Sequence, residues 1–200
     1  MDADFSVELG AEDETLALPW SSEDGRLRYY DLKRQPDLLL YIDEAARWQE
    51  MGEFLAQVNS AASRLQSAKC DVWFTTKLNQ DEAVYGAAGK FASYVDLLFS
   101  AEAPRFSFAQ HEDWVQRLSK LLGRAPQISS AAEFIIRRCF YAQAAEDAPR
   151  EGFYVTFYLF GYGDDQDDAR RRWGIGLKLV GNAILQLSAA QPALGEAAGD

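Results

Sequence analysis

The chain has 200 residues, of which 48% are hydrophobic and 13% aromatic, and its formal net charge is −11. This size and apolar content suffice for one sizeable core, which excludes general disorder. The acidic balance argues against nucleic acid or an anionic membrane as a partner, because both bind basic surfaces.

The cysteines and the N-terminal residues indicate a soluble cytoplasmic protein. Cys70 and Cys139 lie in apolar runs without a CxxC pair, and His111 is the only histidine. We therefore expect reduced, buried thiols and no zinc site. The first residues resemble no secretory signal, and no apolar run approaches the ~20 residues of a membrane span.

In chain order, residues 1–15 are acidic and weakly patterned, and we expect them to form a flexible tail. A single domain is expected over residues 16–189, followed by a flexible tail at 190–200. Within the domain, residues 27–33 (LRYYDLK) and 37–43 (DLLLYID) are predicted to form one or two strands.

The first helix is predicted at residues 44–65, capped by Asp43. Its apolar residues alternate in steps of three and four: Trp48, Met51, Leu55, Val58, Ala62 and Leu65. Two strands are then predicted at 70–76 (CDVWFTT) and 90–100 (KFASYVDLLFS).

A second helix is predicted to begin at Ser107, with Gln110 completing a capping box, and to end at Gly123. Its inward residues are Trp114, Leu118 and Leu121. Two more strands follow at 133–143 and 152–162. The third helix repeats the helical spacing through Trp173, Leu177, Val180, Ile184 and Leu187.

The order is thus strand(s), helix, hairpin, helix, hairpin, helix. Adjacent paired strands favour an α+β fold with an antiparallel sheet of about four to six strands. We expect the three amphipathic helices to pack on one face of that sheet.

The stretch GYGDDQDDARRRWGIGLKLVGN (161–182) combines four aspartates, three arginines and several glycines. It lacks the alternating ligands of a calcium loop, and its glycines fall inside the third helix instead of before it. We interpret it as a helix start, with aspartates at the positive end and two i,i+4 pairs: Asp167–Arg171 and Asp168–Arg172. Gly174 and Gly181 share one flank, where another element could approach closely.

Strand alternation predicts an unusual second face. If Val72, Phe74, Phe91 and Phe157 point to the helices, polar and aromatic residues line the other side. The phase of residues 133–143 is ambiguous, because either Arg137 or Arg138 must face the helices; if Arg138 does, it needs a buried acidic partner. The candidate binding or interface residues are Trp73, Tyr94, Asp96, Arg137, Tyr141, Tyr154 and Tyr158.

Tyr, Trp and Arg are enriched at protein interfaces, because each offers apolar area with a polar group. Three explanations of the aromatic face stay open. The first forty residues, with Trp20, Tyr29 and Tyr30, cover it; a homodimer or protein partner binds it; or it forms a small-molecule pocket near Asp96, Arg137, Tyr154 and Tyr158.

Catalytic signatures are not evident. His111 has no suitable orienting carboxylate on its helix face and is expected at the surface or a boundary. Asp71 and Asp96 beside Arg137 are interpreted as cross-strand ion pairs. We predict a non-enzymatic protein-interaction or self-associating module, with no cofactor and no metal; the alternative is a small-molecule-binding protein or enzyme that uses the pocket just described.

Overall fold

The computed structural model describes residues 1–10, 16–22, 24–26, 28–142 and 148–190, which form a mixed α+β fold around one sheet. Its six strands are β1 (Asp2–Glu8), β2 (Leu16–Leu18), β3 (Leu65–Thr75), β4 (Gly89–Phe99), β5 (Ser130–Tyr141) and β6 (Arg150–Gly163). The helices of this described part are α1 (Asp43–Arg47), α2 (Gln49–Val58), α3 (Glu102–Arg105), α4 (Phe108–Leu122) and α5 (Gln166–Ala190). Short 3-10 helices span Pro36–Tyr41 and Gln80–Tyr85.

The strand order is β1-β5-β6-β4-β3, and most pairs are antiparallel. The two predicted hairpins are confirmed: β3 pairs with β4, β5 pairs with β6, and the hairpins join where β4 meets β6. The prediction of a purely antiparallel sheet was wrong, because β1 and β2 both run parallel to β5 along its outer edge.

The N-terminal residues differ from the expected tail. Residues 2–8 form β1, in register with β5 from Asp2 beside Ala131 to Glu8 beside Arg137. Met1 is buried, and its ammonium group donates a hydrogen bond to the Pro126 carbonyl at 3.0 Å. Residues 11–15 and 191–200 of the expected tails lie outside the described residues.

The strands predicted between residues 27 and 43 were wrong where the structure describes them. Pro36 opens a 3-10 helix, and α1 follows from Asp43. Proline suits the first turn of a helix, and a short apolar run such as DLLLY does not distinguish strand from helix.

The first long helix is shorter than predicted and is divided. Trp48 adopts an extended backbone (φ −125°, ψ 102°) between α1 and α2. Asn59 ends α2, because its side chain donates to the Leu55 carbonyl at 2.8 Å and accepts from the Ser67 backbone N–H at 3.0 Å. The same side chain therefore closes the helix and fixes the start of β3.

Two later helices form where the sequence predicts them, but the predicted pair Asp167–Arg171 was wrong, because Arg171 binds Asp168 instead. Ser107 caps α4 by accepting from the Gln110 backbone N–H at 3.3 Å, and the helix ends at Gly123. At the start of α5, Asp165 accepts from the Asp168 backbone N–H at 2.8 Å, and Asp168 pairs with Arg172 at 2.7 Å.

The glycine flank of α5 faces α2. A Cβ on Gly174 would meet Glu50 Cγ at 3.0 Å, and one on Gly181 would overlap the Gln57 side chain. Arg170 fixes the same contact, because its guanidinium binds both carboxylate oxygens of Glu50 at 2.8 and 3.0 Å. The expectation of a close approach at these glycines is confirmed.

One core joins the sheet to α2, α4 and α5. The buried strand side chains include Phe91, Val95, Phe134, Val155 and Phe157, which confirms their predicted direction. From the helices come Phe54, Leu55, Trp114, Leu118, Trp173 and Leu177. Within the described residues, no helix has the length and apolar character needed to cross a membrane.

Lys33 stabilises the turn between α2 and β3. Its ammonium donates to three backbone carbonyls, those of Ser60, Ser63 and Leu65, at 2.9, 2.5 and 2.9 Å. Hydrogen bonds from a charged donor to backbone carbonyls are among the stronger contributions to stability.

We expect Lys33→Met to lower the free energy of unfolding by about 2–3 kcal/mol, because the three carbonyls lose a charged donor. Urea unfolding followed by circular dichroism measures the loss. Lys120→Met, at an exposed position on α4, is the matched control and should change stability by less than about 0.5 kcal/mol. An equal effect of both variants would contradict a role for Lys33 in this turn.

Candidate functional site

The seven predicted site residues lie on the sheet face that points away from the main core. Strand register aligns them across the sheet, with Tyr94 beside Tyr158 and Arg137 beside Tyr154. Trp73 lies beside Ala92, which in turn lies beside Phe160. The phase of β5 is thereby settled: Phe134 and Ile136 enter the main core, and Arg137 lies on the opposite face.

One end of this face is covered by the N-terminal segment. Tyr141 and Tyr154 are only 4% and 7% exposed and form a second, smaller core with Leu18. Trp20 closes it from outside, since its indole N–H donates to the Ala68 carbonyl at 3.0 Å. Tyr29 packs beside it.

The other end is bordered by the 3-10 helix Gln80–Tyr85. The Tyr85 ring stacks on Tyr162 with centroids 3.9 Å apart, and its hydroxyl donates to Asp2 at 2.6 Å. Glu82 accepts from Lys90 at 2.5 Å and from the Tyr162 hydroxyl at 2.9 Å. Both ends of the face are therefore closed by the chain itself.

Between these ends lies an open patch, which we call the aromatic surface; its half-exposed residues are Trp73, Tyr94, Tyr158 and Phe160. The Tyr158 and Phe160 rings are nearly parallel, with centroids 6.3 Å apart, and Tyr94 tilts against Tyr158 at 6.0 Å. Burial and neighbouring carboxylates raise the pKa of Tyr94 to about 12.

Asp96 lies beneath the aromatic surface and is only 5% exposed. It accepts a hydrogen bond from the Thr156 hydroxyl at 2.8 Å. Burial raises its pKa to about 6, although the Thr156 hydrogen bond and the charges of Lys69 and Arg137 oppose that rise. A carboxylate in this position is costly to ionise and would gain strongly from a cation brought next to it.

Arg137 pairs with Glu8 of β1, at 2.8 Å, and not with the aspartates predicted for it. That prediction was wrong because β1, which supplies Glu8, was expected to be a tail. Arg138 pairs with Glu151 at 3.7 Å, and both side chains are partly exposed. The predicted buried acidic partner of Arg138 was therefore also wrong.

Carboxylates surround the aromatic surface on two sides. We define the acidic rim by their shared face and register: Asp2, Asp4, Glu8, Glu133 and Asp71. Burial and the charges of Glu8 and Asp4 raise the pKa of Glu133, which shows that these groups lie close enough to repel one another. The first four were not predicted as site residues, because they come together only through the parallel pairing of β1 with β5.

A partly enclosed cavity of about 500 Å³ opens next to the aromatic surface, between β3 and described residues of the preceding chain from Trp20 to Glu44, with Tyr94 in its wall. The aromatic and cationic residues around it include Trp20, Arg28, Tyr30, Tyr41 and Lys69. The small-molecule pocket predicted from the sequence uses other residues. Arg137, Tyr154 and Tyr158 do lie near Asp96, but none of these four residues lines this cavity.

The two thiols differ in exposure. Cys139 is buried in the second core, whereas Cys70 is half-buried in the cavity wall, where it donates to Glu44 at 3.8 Å. Burial raises the pKa of both thiols. The expectation of two buried thiols holds only for Cys139.

His111 is buried in the main fold, 1% exposed, and the expected surface position was wrong. Its ring lies between Phe99 and Phe153, with centroids at 4.8 and 5.8 Å. Nδ1 donates to the Ser107 carbonyl at 2.9 Å, and burial lowers the pKa of the ring. A neutral histidine in this setting contributes to packing.

The structure thus holds two features that could bind another molecule, the aromatic surface with its acidic rim and the neighbouring cavity. Comparison with known proteins gives no further guidance, since no family model, no curated protein and no solved structure matches this chain.

Proposed function

We propose that this chain is a protein-interaction module whose binding site is the aromatic surface, and that its partner presents cationic side chains. One observation carries the proposal. The chain covers both ends of its second sheet face with its own residues, yet leaves Trp73, Tyr94 and Tyr158 half-exposed in the middle.

The composition of this surface supports a protein partner. Aromatic side chains supply large contact area at low cost in conformational entropy, and they dominate the energetics of protein interfaces. The rings already contact one another, as Tyr158 does with Tyr94 and Phe160, so little ordering is needed on binding.

The charges support a cationic partner over a second copy of this chain. The acidic rim flanks the aromatic surface, and the whole chain carries a net charge of −11. Two such surfaces placed face to face would oppose like charges, whereas arginine or lysine side chains would complement the rim. Arginine would also stack on the rings.

Asp96 adds a reason for cation selectivity. Its buried carboxylate lies under the rings and lacks a paired cation in hydrogen-bond contact among the described residues. A guanidinium that reached Asp96 from the aromatic surface would form a charge-assisted hydrogen bond in a partly desolvated setting, where such bonds are strong.

A defined peptide selection tests the proposal. Randomised 12-residue peptides displayed on phage should enrich sequences that combine arginine or lysine with an aromatic residue. We expect Tyr158→Glu to weaken binding of a synthetic peptide of the enriched type by at least about tenfold, because it inserts a charge among the rings. Calorimetric titration at low and high salt measures the affinity and its electrostatic part.

Ile175→Glu is the matched control, since Ile175 is an exposed hydrophobic residue on α5, in the helix layer. It should leave peptide affinity unchanged. Light scattering across a concentration series should give the monomer mass of 22.4 kDa. If the protein were a dimer that Tyr158→Glu dissociates, self-association would replace the cationic partner as the function of this surface. If both variants lost peptide affinity equally, the aromatic surface would not be the binding site.

A further inference from the structure

We propose that the cavity beside β3 binds a small aromatic anion, a flat apolar ring system that carries a carboxylate or similar group. This site is separate from the aromatic surface and does not depend on the function proposed above. The two features share only the side chain of Tyr94.

The shape of the cavity fits a small organic molecule. Its volume of about 500 Å³ falls within the usual range for ligand sites, and it is partly enclosed. The segment containing Trp20 covers it, and that cover is fixed, because the indole N–H of Trp20 donates to the Ala68 carbonyl at 3.0 Å. The cavity is therefore formed before any ligand binds.

The walls suit a flat ring system. Tyr30 and Tyr41 stack with centroids 6.5 Å apart on one side, and Tyr94 lies in the wall formed by the sheet. Leu55 of α2 adds an apolar floor. Aromatic rings in such walls bind planar ligands by stacking and by edge contacts.

Two cations indicate the sign of the ligand charge. Lys69 Nζ lies 4.8 Å from the centroid of the Trp20 ring, and the Arg28 guanidinium lies 5.3 Å from that of Tyr30. Neither forms an ion pair with a carboxylate among the described residues, so both can contact an anion, although the charge of Lys69 also acts on the Asp96 carboxylate. Because these cations already occupy ring faces of Trp20 and Tyr30, a cationic ligand would have to displace them.

Two carboxylates, those of Asp43 and Glu44, also line the cavity. Asp43 and Glu44 stand in the first turn of α1, where free backbone N–H groups favour negative charge. Glu44 also accepts a hydrogen bond from the Cys70 thiol. Arg26, the third cation in the wall, pairs with Asp24 at 3.5 Å and points to solvent. Arg28 and Lys69 are thus the cationic groups of the wall that form no ion pair among the described residues, and they favour an anionic ligand.

Three probes with the same ring system and different charge test this inference: 1-naphthoate, 1-naphthalenemethanol and 1-naphthylmethylammonium. Calorimetric titration of the full chain should show naphthoate binding about tenfold more tightly than the alcohol, with the ammonium weakest. Lys69→Met and Arg28→Met, each retaining an apolar stem, should each weaken naphthoate binding by about tenfold and leave the alcohol unchanged.

Arg117→Met on α4 is the matched control, because Arg117 pairs with Asp113 on an exposed helix face. It should not affect any probe. Tyr158→Ala should also leave naphthoate binding intact, since Tyr158 belongs to the aromatic surface and not to the cavity wall. Loss of binding in Tyr158→Ala would place the probe on the aromatic surface and overturn the cavity site. The proposed anion site would also be overturned by any of three results: no naphthoate binding, equal affinity for all three probes, or tighter binding of the ammonium.

Discussion

Replacing Gly161 with alanine is expected to destabilise the protein by about 3 kcal/mol or more. Gly161 lies on β6 where α5 crosses the sheet, on the face that carries Phe157 and Leu159 into the core. A Cβ there would overlap backbone atoms of Ala169 and Trp173.

The cost is high because backbone cannot move as a flexible side chain can. Relief would require α5 to shift away from the sheet, and Trp173 would move with it. Trp173 is completely buried, contacts Phe91 with ring centroids 4.9 Å apart, and donates to the Ser93 hydroxyl at 2.9 Å. One added methyl group therefore disturbs the centre of the core.

Urea unfolding of both proteins measures the loss, and Gly174→Ala provides the matched control. At Gly174 the added Cβ would meet only side-chain atoms of Glu50, the nearest at 3.0 Å, and no backbone, while alanine favours the helix. We expect the control to stay within about 1 kcal/mol of the parent. If Gly161→Ala were as stable as Gly174→Ala, the close crossing of α5 over β6 would be incorrect.

Asp96→Asn is expected to raise the free energy of unfolding by up to about 3 kcal/mol at pH 7.5. The figure follows from the rise of the Asp96 pKa from 3.8 to about 6, at about 1.4 kcal/mol for each pH unit. Asparagine keeps an oxygen that can accept from the Thr156 hydroxyl but carries no charge to desolvate.

The sign of the pH dependence follows from the direction of this shift. Because the folded state binds the Asp96 proton more tightly than the unfolded state, the contribution of Asp96 is most favourable below about pH 4. It is lost as the pH rises through about 6. The advantage of Asp96→Asn should therefore be full near pH 7.5 and should approach zero near pH 4.

Comparing parent and variant at each pH cancels the titration of other groups, including His111. Asp71→Asn, at an exposed position on the same face, is the matched control and should stay within about 0.5 kcal/mol of the parent at both pH values. Destabilisation by Asp96→Asn at pH 7.5 would mean that the ionised carboxylate is paired and stabilising, contrary to its raised pKa.

The buried carboxylate of Asp96 is expected to lower the free energy of unfolding, which is consistent with the proposed binding of a cationic partner at this site. Binding sites often retain groups that are unfavourable in the free protein and are satisfied by the partner. The two expected results on Asp96 are linked: the variant should be more stable, and it should bind cationic peptides less well.

Local patterns were sufficient for much of the fold. The helical spacing in α4 and α5, the cap at Ser107 and the alternation in β3 to β6 predict these elements and their buried faces, because both periodicities arise from backbone geometry within one element. The seven residues of the aromatic face were predicted for the same reason, as period two is independent of distant contacts.

Distant contacts decided the rest. The N-terminal residues become β1 only because β5 offers an unpaired edge, and that pairing brings Glu8 to Arg137 and forms most of the acidic rim. Trp20 covers Tyr141 and Tyr154 instead of Tyr158 for a similar reason, since its position depends on a hydrogen bond to Ala68, 48 residues away. The division of one aromatic face into a covered end and an open end is thus a property of long-range packing, which no local pattern encodes.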